Sequence, residues 1–133
     1  MSEENVEVVR AAYEAFARGD RGVVARFADP EIEWTPLLGV EKLDGRKAVL
    51  EFLFDIENYI DGWRTDPDEF VDLGDGGVLV LETRCGRPKG TDVTISQPTG
   101  AIYRLRDRLI VSVRAYPSKR EALEAAGLGA PGR

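Results

Sequence analysis

The stretch VEVVRAAYEAFARGDRGVVARFADPEIEW, residues 6–34, constrains the fold more than any other part of the chain. Val6, Val9, Tyr13 and Phe16 recur at spacings of three and four with Ala12 beside them, while Glu7, Arg10, Glu14 and Arg18 take the other side. That period belongs to a helix with one buried stripe, over about residues 3–18. Gly19 suits the left-handed residue after a helix end, and Asp20 is a good N-cap for a second, shorter helix carrying Val23, Val24 and Phe27. Asp29-Pro30 stops it, and at once the period changes to two: Ile32 and Trp34 alternate with Glu33 and Thr35 in a short strand, 31–35. The chain therefore opens as a helix hairpin that feeds directly into a strand.

After a loop through Leu38-Gly39, a third helix is expected over 45–59, burying Val49, Phe52, Leu53, Ile56 and Tyr59. Everything beyond reads as sheet. Strands are expected at 64–73, 78–85, 92–97, 101–106 and 109–116, divided by turn signals at 74–77, 88–90 and 106–108. The ending SKREALEAAGLGAPGR reads as a short terminal helix stopped by Gly127, then a Gly/Pro tail. Residues 1–126 form one domain in this reading and 127–133 a flexible tail, consistent with a length of 133 residues. Helices first and hairpin strands after imply an α+β domain, a curved antiparallel sheet packed on three N-terminal helices.

Alternation along each strand predicts which side meets the helices. Leu79, Leu81, Thr83 and Cys85 are expected to face inward, with Val78, Val80, Glu82 and Arg84 outward. Val93, Ile95 and Gln97, then Ala101, Tyr103 and Leu105, then Val111, Val113 and Ala115 are the other inward sets. The outward face is mixed in character, which fits a sheet that pairs with a second copy. Glu82, Arg84, Arg104 and Arg114 are its candidate seam residues, with solvated surface charge as the competing reading.

Composition narrows the function. With 24 acidic against 18 basic residues the net charge is −6, which disfavours nucleic acid and anionic membrane partners. No apolar run is long enough to span a bilayer and MSEENVE does not read as a signal peptide, so a cytoplasmic location is expected. The chain has no histidine and one cysteine, Cys85, so histidine-based catalysis and an internal disulfide are excluded. No Asp-rich calcium loop is visible; neither metal nor cofactor is expected. Cys85, without a visible activating partner, reads as a small apolar residue.

The quoted opening stretch, the LDGRKAVLEFL helix start, the AIYRLRDRLIVSVRAY hairpin and the closing EALEAAGL together resemble the SnoaL-like branch of the nuclear transport factor 2-like superfamily, over nearly the whole chain. The resemblance implies a cone, the cystatin-like α+β barrel: a strongly bent sheet wrapped on helices around a pocket open at one end, with members pairing as homodimers through the outer sheet face. Relatives include ketosteroid isomerases, polyketide cyclases and epoxide hydrolases, alongside proteins that only bind or only dimerise, so fold does not name the chemistry.

The isomerase positions are occupied here by other residue types. Its helix tyrosine falls at Ala12 with Tyr13 adjacent, its base at Thr35 before Pro36, and its protonated aspartate at about Thr99. Isomerisation by that route is therefore not expected. The Asp-Arg-Asp set of the epoxide hydrolases finds no match among the predicted inward residues, and the cyclase aspartate has none near 97–99.

The resemblance implies a small apolar ligand in a pocket, of polyketide or steroid type. Its walls are predicted to be Tyr13, Trp34, Thr35, Phe52, Ile56, Tyr59, Leu81, Gln97, Thr99, Tyr103, Val113 and Ala115. Asp55 and Glu33 are the carboxylates expected near its mouth, and either one with Tyr13 or Tyr103 is the candidate acid/base set for isomerisation, cyclisation or hydration. The alternative is a noncatalytic interaction module whose hollow is filled by its own side chains.

Overall fold

The computed structural model describes residues 2–37 and 41–128. The expected loop at Leu38-Gly39 and most of the Gly/Pro tail lie outside the described residues. Helix α1 spans Ser2–Ala17 and α2 spans Arg21–Phe27. The joint is as the residues dictate: Gly19 takes a φ of 72°, its N–H donates to the Phe16 carbonyl at 2.9 Å, and the Asp20 carboxylate accepts from the Val23 N–H at 3.1 Å. Left-handed backbone at that joint costs a glycine little.

Strand β1, Ala28–Thr35, follows α2 without a break, and the two-residue β2, Leu43–Asp44, pairs with it. Helix α3, Arg46–Asp55, is shorter than the pattern predicts because the chain tightens into a single 3₁₀ turn at Ile56–Asn58. The Gly45 N–H donates to the Ile32 carbonyl at 2.8 Å, which ties the start of α3 to β1. Three long strands and one shorter one then complete the sheet: β3 (Ile60–Gly74), β4 (Gly77–Pro88), β5 (Ile95–Arg106) and β6 (Leu109–Tyr116). The segments 92–97 and 101–106, expected as separate strands, belong to one: β5 runs through Pro98 and Gly100 without turning. Val93 falls in the loop before it and is 60% exposed, so its predicted inward place is wrong. The tight hairpins at Asp75-Gly76 and Asp107-Arg108 have positive φ at both central residues, as two-residue connections require.

The sheet is curved and unclosed, in the order β2-β1-β6-β5-β4-β3. It is not wholly antiparallel, since β1 and β6 run parallel and bring Trp34 opposite Val113. Val9, Ile32, Val49, Val78, Val80, Ala101, Tyr103, Ile110 and Val113 form the main core between the sheet and α1 and α3. Each fully buried valine or isoleucine there is worth about 1.5–3 kcal/mol.

The predicted facing of β4 is inverted. Val78, Val80, Glu82 and Arg84 point to the helices, while Leu79 and Leu81 pack with Ile102 against the opposite face. That face is apolar because helix α4, Lys119–Ala125, covers it with Ala122 and Leu123. The Ser118 hydroxyl accepts from the Glu121 N–H at 3.1 Å as the helix cap, Lys119 meets Asp68 at 3.1 Å, and Ala122 lies over Gly100 so closely that a Cβ at residue 100 would collide with it. Thr83, also predicted inward, donates to Asp68 at 2.8 Å on this outer side. Among the described residues, no helix is long and apolar enough to cross a membrane.

Candidate functional site

Between α1, α2, α3 and the inner sheet face lies a cavity of about 200 Å³. Its walls are almost entirely apolar, with Phe16, Trp34, Phe52, Leu53, Ile56 and Trp63 among them, and its polar groups converge from α1, β4 and β5. β4 contributes Glu82, only 2% exposed, and two residues later Arg84 at 19%. Alternation along the strand puts both on one face, and the β4–β5 register sets Glu82 directly opposite Thr99. From α1, Tyr13 reaches across to the same point.

The carboxylate is surrounded by donors. Arg84 donates from Nε at 3.1 Å and from Nη2 at 3.0 Å, and the Thr99 hydroxyl at 3.2 Å, all to Oε2. The Tyr13 hydroxyl donates to Oε1 at 2.5 Å, and the Tyr103 hydroxyl lies 2.9 Å from that of Tyr13. A buried carboxylate persists only when paired and hydrogen-bonded, and both conditions hold. Burial, first, and then the neighbouring Tyr103 and the charge of Glu82 hold the Tyr13 phenol well above its usual value. Burial and the Glu82 charge likewise push Tyr103 upward, opposed by the Tyr13 hydrogen bond and by Arg84. Both tyrosines are therefore neutral donors across the ordinary pH range. Their rings and those of Phe70 and Trp34 meet edge-on or tilted, with centroids 5.7–6.3 Å apart, which fixes the hydroxyls in place.

Of the predicted wall residues, Tyr13, Trp34, Phe52, Ile56 and Tyr103 line the cavity. Thr99 is fully buried and acts on it through Glu82. Val113 and Ala115 are buried in the sheet but are not part of the wall. Four others also lie off the wall. Tyr59 is 65% exposed because the 3₁₀ turn swings it off the helical stripe. Leu81 lies under α4; Gln97 is exposed and donates to the Pro117 carbonyl at 3.3 Å; Thr35 sits opposite Arg114 on the alternate side of β1 from Trp34.

The two candidate carboxylates are also misplaced. Asp55 is exposed and accepts from Asn58 Nδ2 at 2.7 Å, and Glu33 is exposed beside Lys42 at 3.4 Å. Glu82 and Arg84, expected on an outer seam, are the inner site, whereas Arg104 and Arg114 are exposed as expected of that face. The signal for Glu82 was present: a terminal helix carrying Ala122, Leu123 and Ala126 needs an apolar platform, and β4 supplies Leu79 and Leu81. Among the described residues no group of three or more His, Cys, Asp or Glu is placed to hold a metal ion.

The SnoaL-like domain family matches residues 9–113, which include every polar residue of the site. The chain belongs to the SnoaL-like family. No curated protein matches it. Among solved structures, an NTF2-like protein of unknown function from Burkholderia pseudomallei K96243 is 23% identical, with a TM-score of 0.78 over 96% of this chain and 98% of that one. A putative polyketide cyclase from Xanthomonas campestris pv. campestris is 22% identical, TM-score 0.68, over 93% and 97%. An LEH-like epoxide hydrolase from M. tuberculosis is 14% identical, TM-score 0.72, over 96% and 92%. At these identities the likeness establishes the SnoaL-like chain's fold and leaves its chemistry to its own residues.

Proposed function

We propose that this SnoaL-like domain binds a small apolar molecule of one or two rings and performs acid/base chemistry on it, with Glu82 as the proton-holding group and Tyr13 and Tyr103 as the hydroxyls that connect it to the cavity. The observation that carries this reading is a buried carboxylate meeting two neutral tyrosines at the polar end of an otherwise apolar hollow. Core packing alone gains nothing from a buried Glu–Arg pair, which apolar residues of similar volume usually match or improve upon. Convergent polar groups in an apolar pocket are what ligand orientation requires.

The volume sets the ligand's size. A dry cavity of roughly 150 Å³ admits benzene, so about 200 Å³ admits one or two fused rings and excludes a tetracyclic steroid. Isomerisation, cyclisation or hydration each need one proton moved under water exclusion, and the site offers that. The putative polyketide cyclase and the LEH-like epoxide hydrolase among the structural neighbours are compatible with this class of reaction. The hydrolase comparison gains from the inward Arg84, although Glu82 is the one carboxylate on the wall among the described residues.

The second reading, a noncatalytic interaction module, is favoured by one observation: the cavity is smaller than the roughly 300–1,000 Å³ of pockets for drug-sized ligands. Thermal denaturation with a graded series (p-cresol, naphthalene, a tetracyclic steroid) separates the two. Binding to the folded state must raise the melting temperature. Naphthalene raising it while the steroid does not supports the ligand-binding reading; no shift from any compound at saturation leaves the interaction module.

A further inference from the structure

Hydrogen-bond direction at the site can be worked out from donors and acceptors. An ionised carboxylate only accepts, so at the Tyr13–Glu82 contact the single proton of Tyr13 points at Oε1. Tyr13 has no second proton, so at the 2.9 Å contact between the two hydroxyls Tyr103 must be the donor. Tyr103 has then spent its own proton. Its oxygen keeps lone pairs, and among the described residues no group donates to it. Tyr103 lines the cavity, so the polar end of the pocket presents an acceptor to whatever fills it.

We infer that the ligand carries a hydroxyl, phenolic or enolic, which donates to Tyr103 and so completes a one-way line of hydrogen bonds from ligand to Tyr103, Tyr13 and Glu82. This rests on the ligand-binding reading above and narrows it from any apolar ring compound to one with an acidic O–H at its edge. A ketone or ether oxygen at the same place meets lone pair with lone pair.

The line also defines a proton route that balances. The ligand O–H bond breaks as its proton joins the Tyr103 oxygen; the proton of Tyr103 passes to Tyr13, and that of Tyr13 to Glu82 Oε1. The ligand oxygen keeps the electron pair and the negative charge that Glu82 has given up. Every proton moves between groups of the ligand and the site, so their total charge is unchanged, and Arg84 stays hydrogen-bonded to Glu82 Oε2 from Nε and Nη2.

The test is calorimetric titration with 2-naphthol and 2-methoxynaphthalene, which share the ring system and differ only in the donated proton. With the wild-type protein 2-naphthol should bind about tenfold tighter, the scale of one net hydrogen bond and one unpaired oxygen. Tyr103→Phe should weaken 2-naphthol to the level of the ether. Tyr13→Phe frees the Tyr103 proton to turn toward the cavity, so the ether should gain and the preference shrink toward unity. Equal binding of both compounds by the wild type overturns the inference while leaving the pocket reading intact; binding of neither overturns both.

Discussion

Tyr13 and Glu82, separated by 69 positions in the chain, meet at 2.5 Å between hydroxyl and carboxylate oxygen, and that contact joins α1 to β4 through the floor of the cavity. The carboxylate is the acceptor for four donor groups from three residues besides its own: two from Arg84 and one each from Tyr13 and Thr99. Glu82→Ala strands all of them and leaves the Arg84 charge, 19% exposed, without its partner. Removing one member of such a pair costs about 3–5 kcal/mol. Glu82→Gln, which keeps an acceptor oxygen and the volume, should cost less. Urea denaturation of both variants measures the difference; an alanine variant within about 1 kcal/mol of wild type would contradict the buried pair.

The two tyrosines give stability a pH dependence. Burial raises both above the ordinary tyrosine value of 10.0, so the native state holds their protons more tightly than the unfolded chain does. The sign follows: their contribution is complete below about pH 10 and declines as pH rises from there through the folded-state values, because the unfolded chain ionises first. Each tyrosine adds up to about 1.4 kcal/mol per pH unit to that decline. Unfolding free energies of the wild type and of Tyr13→Phe/Tyr103→Phe at pH 8 to 11.5 should diverge in slope above pH 10, with the double variant flatter. Parallel slopes would mean that the hydroxyls are open to solvent.

Much of this architecture is legible in the sequence, and the parts that are not share a cause. The helix hairpin at Gly19-Asp20, β6 at its observed bounds and the inward set Ala101, Tyr103, Leu105 follow from periods that one buried face imposes. Strand β4 defeats the same rule, because Val78, Leu79, Val80 and Leu81 are apolar on both faces and alternation carries no sign there. The choice then falls to Glu82 and Arg84, and charge points outward by default. The structure reverses it because each charge is the other's partner inside and α4 needs the leucines outside. Tyr13, Trp34, Phe52, Ile56 and Tyr103 reach the cavity wall from elements with one buried side, whereas Asp55 and Glu33 are exposed, because nearness to a cavity mouth in sequence says nothing about which way a side chain turns.

The seat of α4 can be tested at a single pair. A methyl group at residue 100 would collide with the Ala122 methyl, so strand and helix must shift apart to admit it, while the Val80 carbonyl and Leu81 stay at ordinary contact distance. Gly100→Ala should destabilise by about 1–3 kcal/mol, the usual cost of overpacking. Ala122→Gly removes the opposing atom at a helix-propensity cost of about 1 kcal/mol. Combined, the two should be more stable than the sum of their separate effects, and a double-mutant cycle by urea denaturation reads the coupling directly. Strict additivity would place α4 elsewhere.

Ala12 tests the cavity without touching its polar end. It sits on the stripe of α1 one residue before Tyr13 and forms part of the wall, so a larger side chain there grows into empty space. Ala12→Leu should keep or slightly raise the urea midpoint, since filling a hollow restores contacts that its lining lacks. Leucine is also nearly as good a helix former as alanine, so α1 itself is not weakened. With about 200 Å³ reduced by three carbon atoms, naphthalene no longer fits and its stabilising effect on the melting temperature should vanish. The unaltered midpoint is the control that separates lost space from lost fold. If naphthalene still shifts the melting temperature of this variant as it does the wild type, the ring system is held somewhere other than between α1 and Glu82.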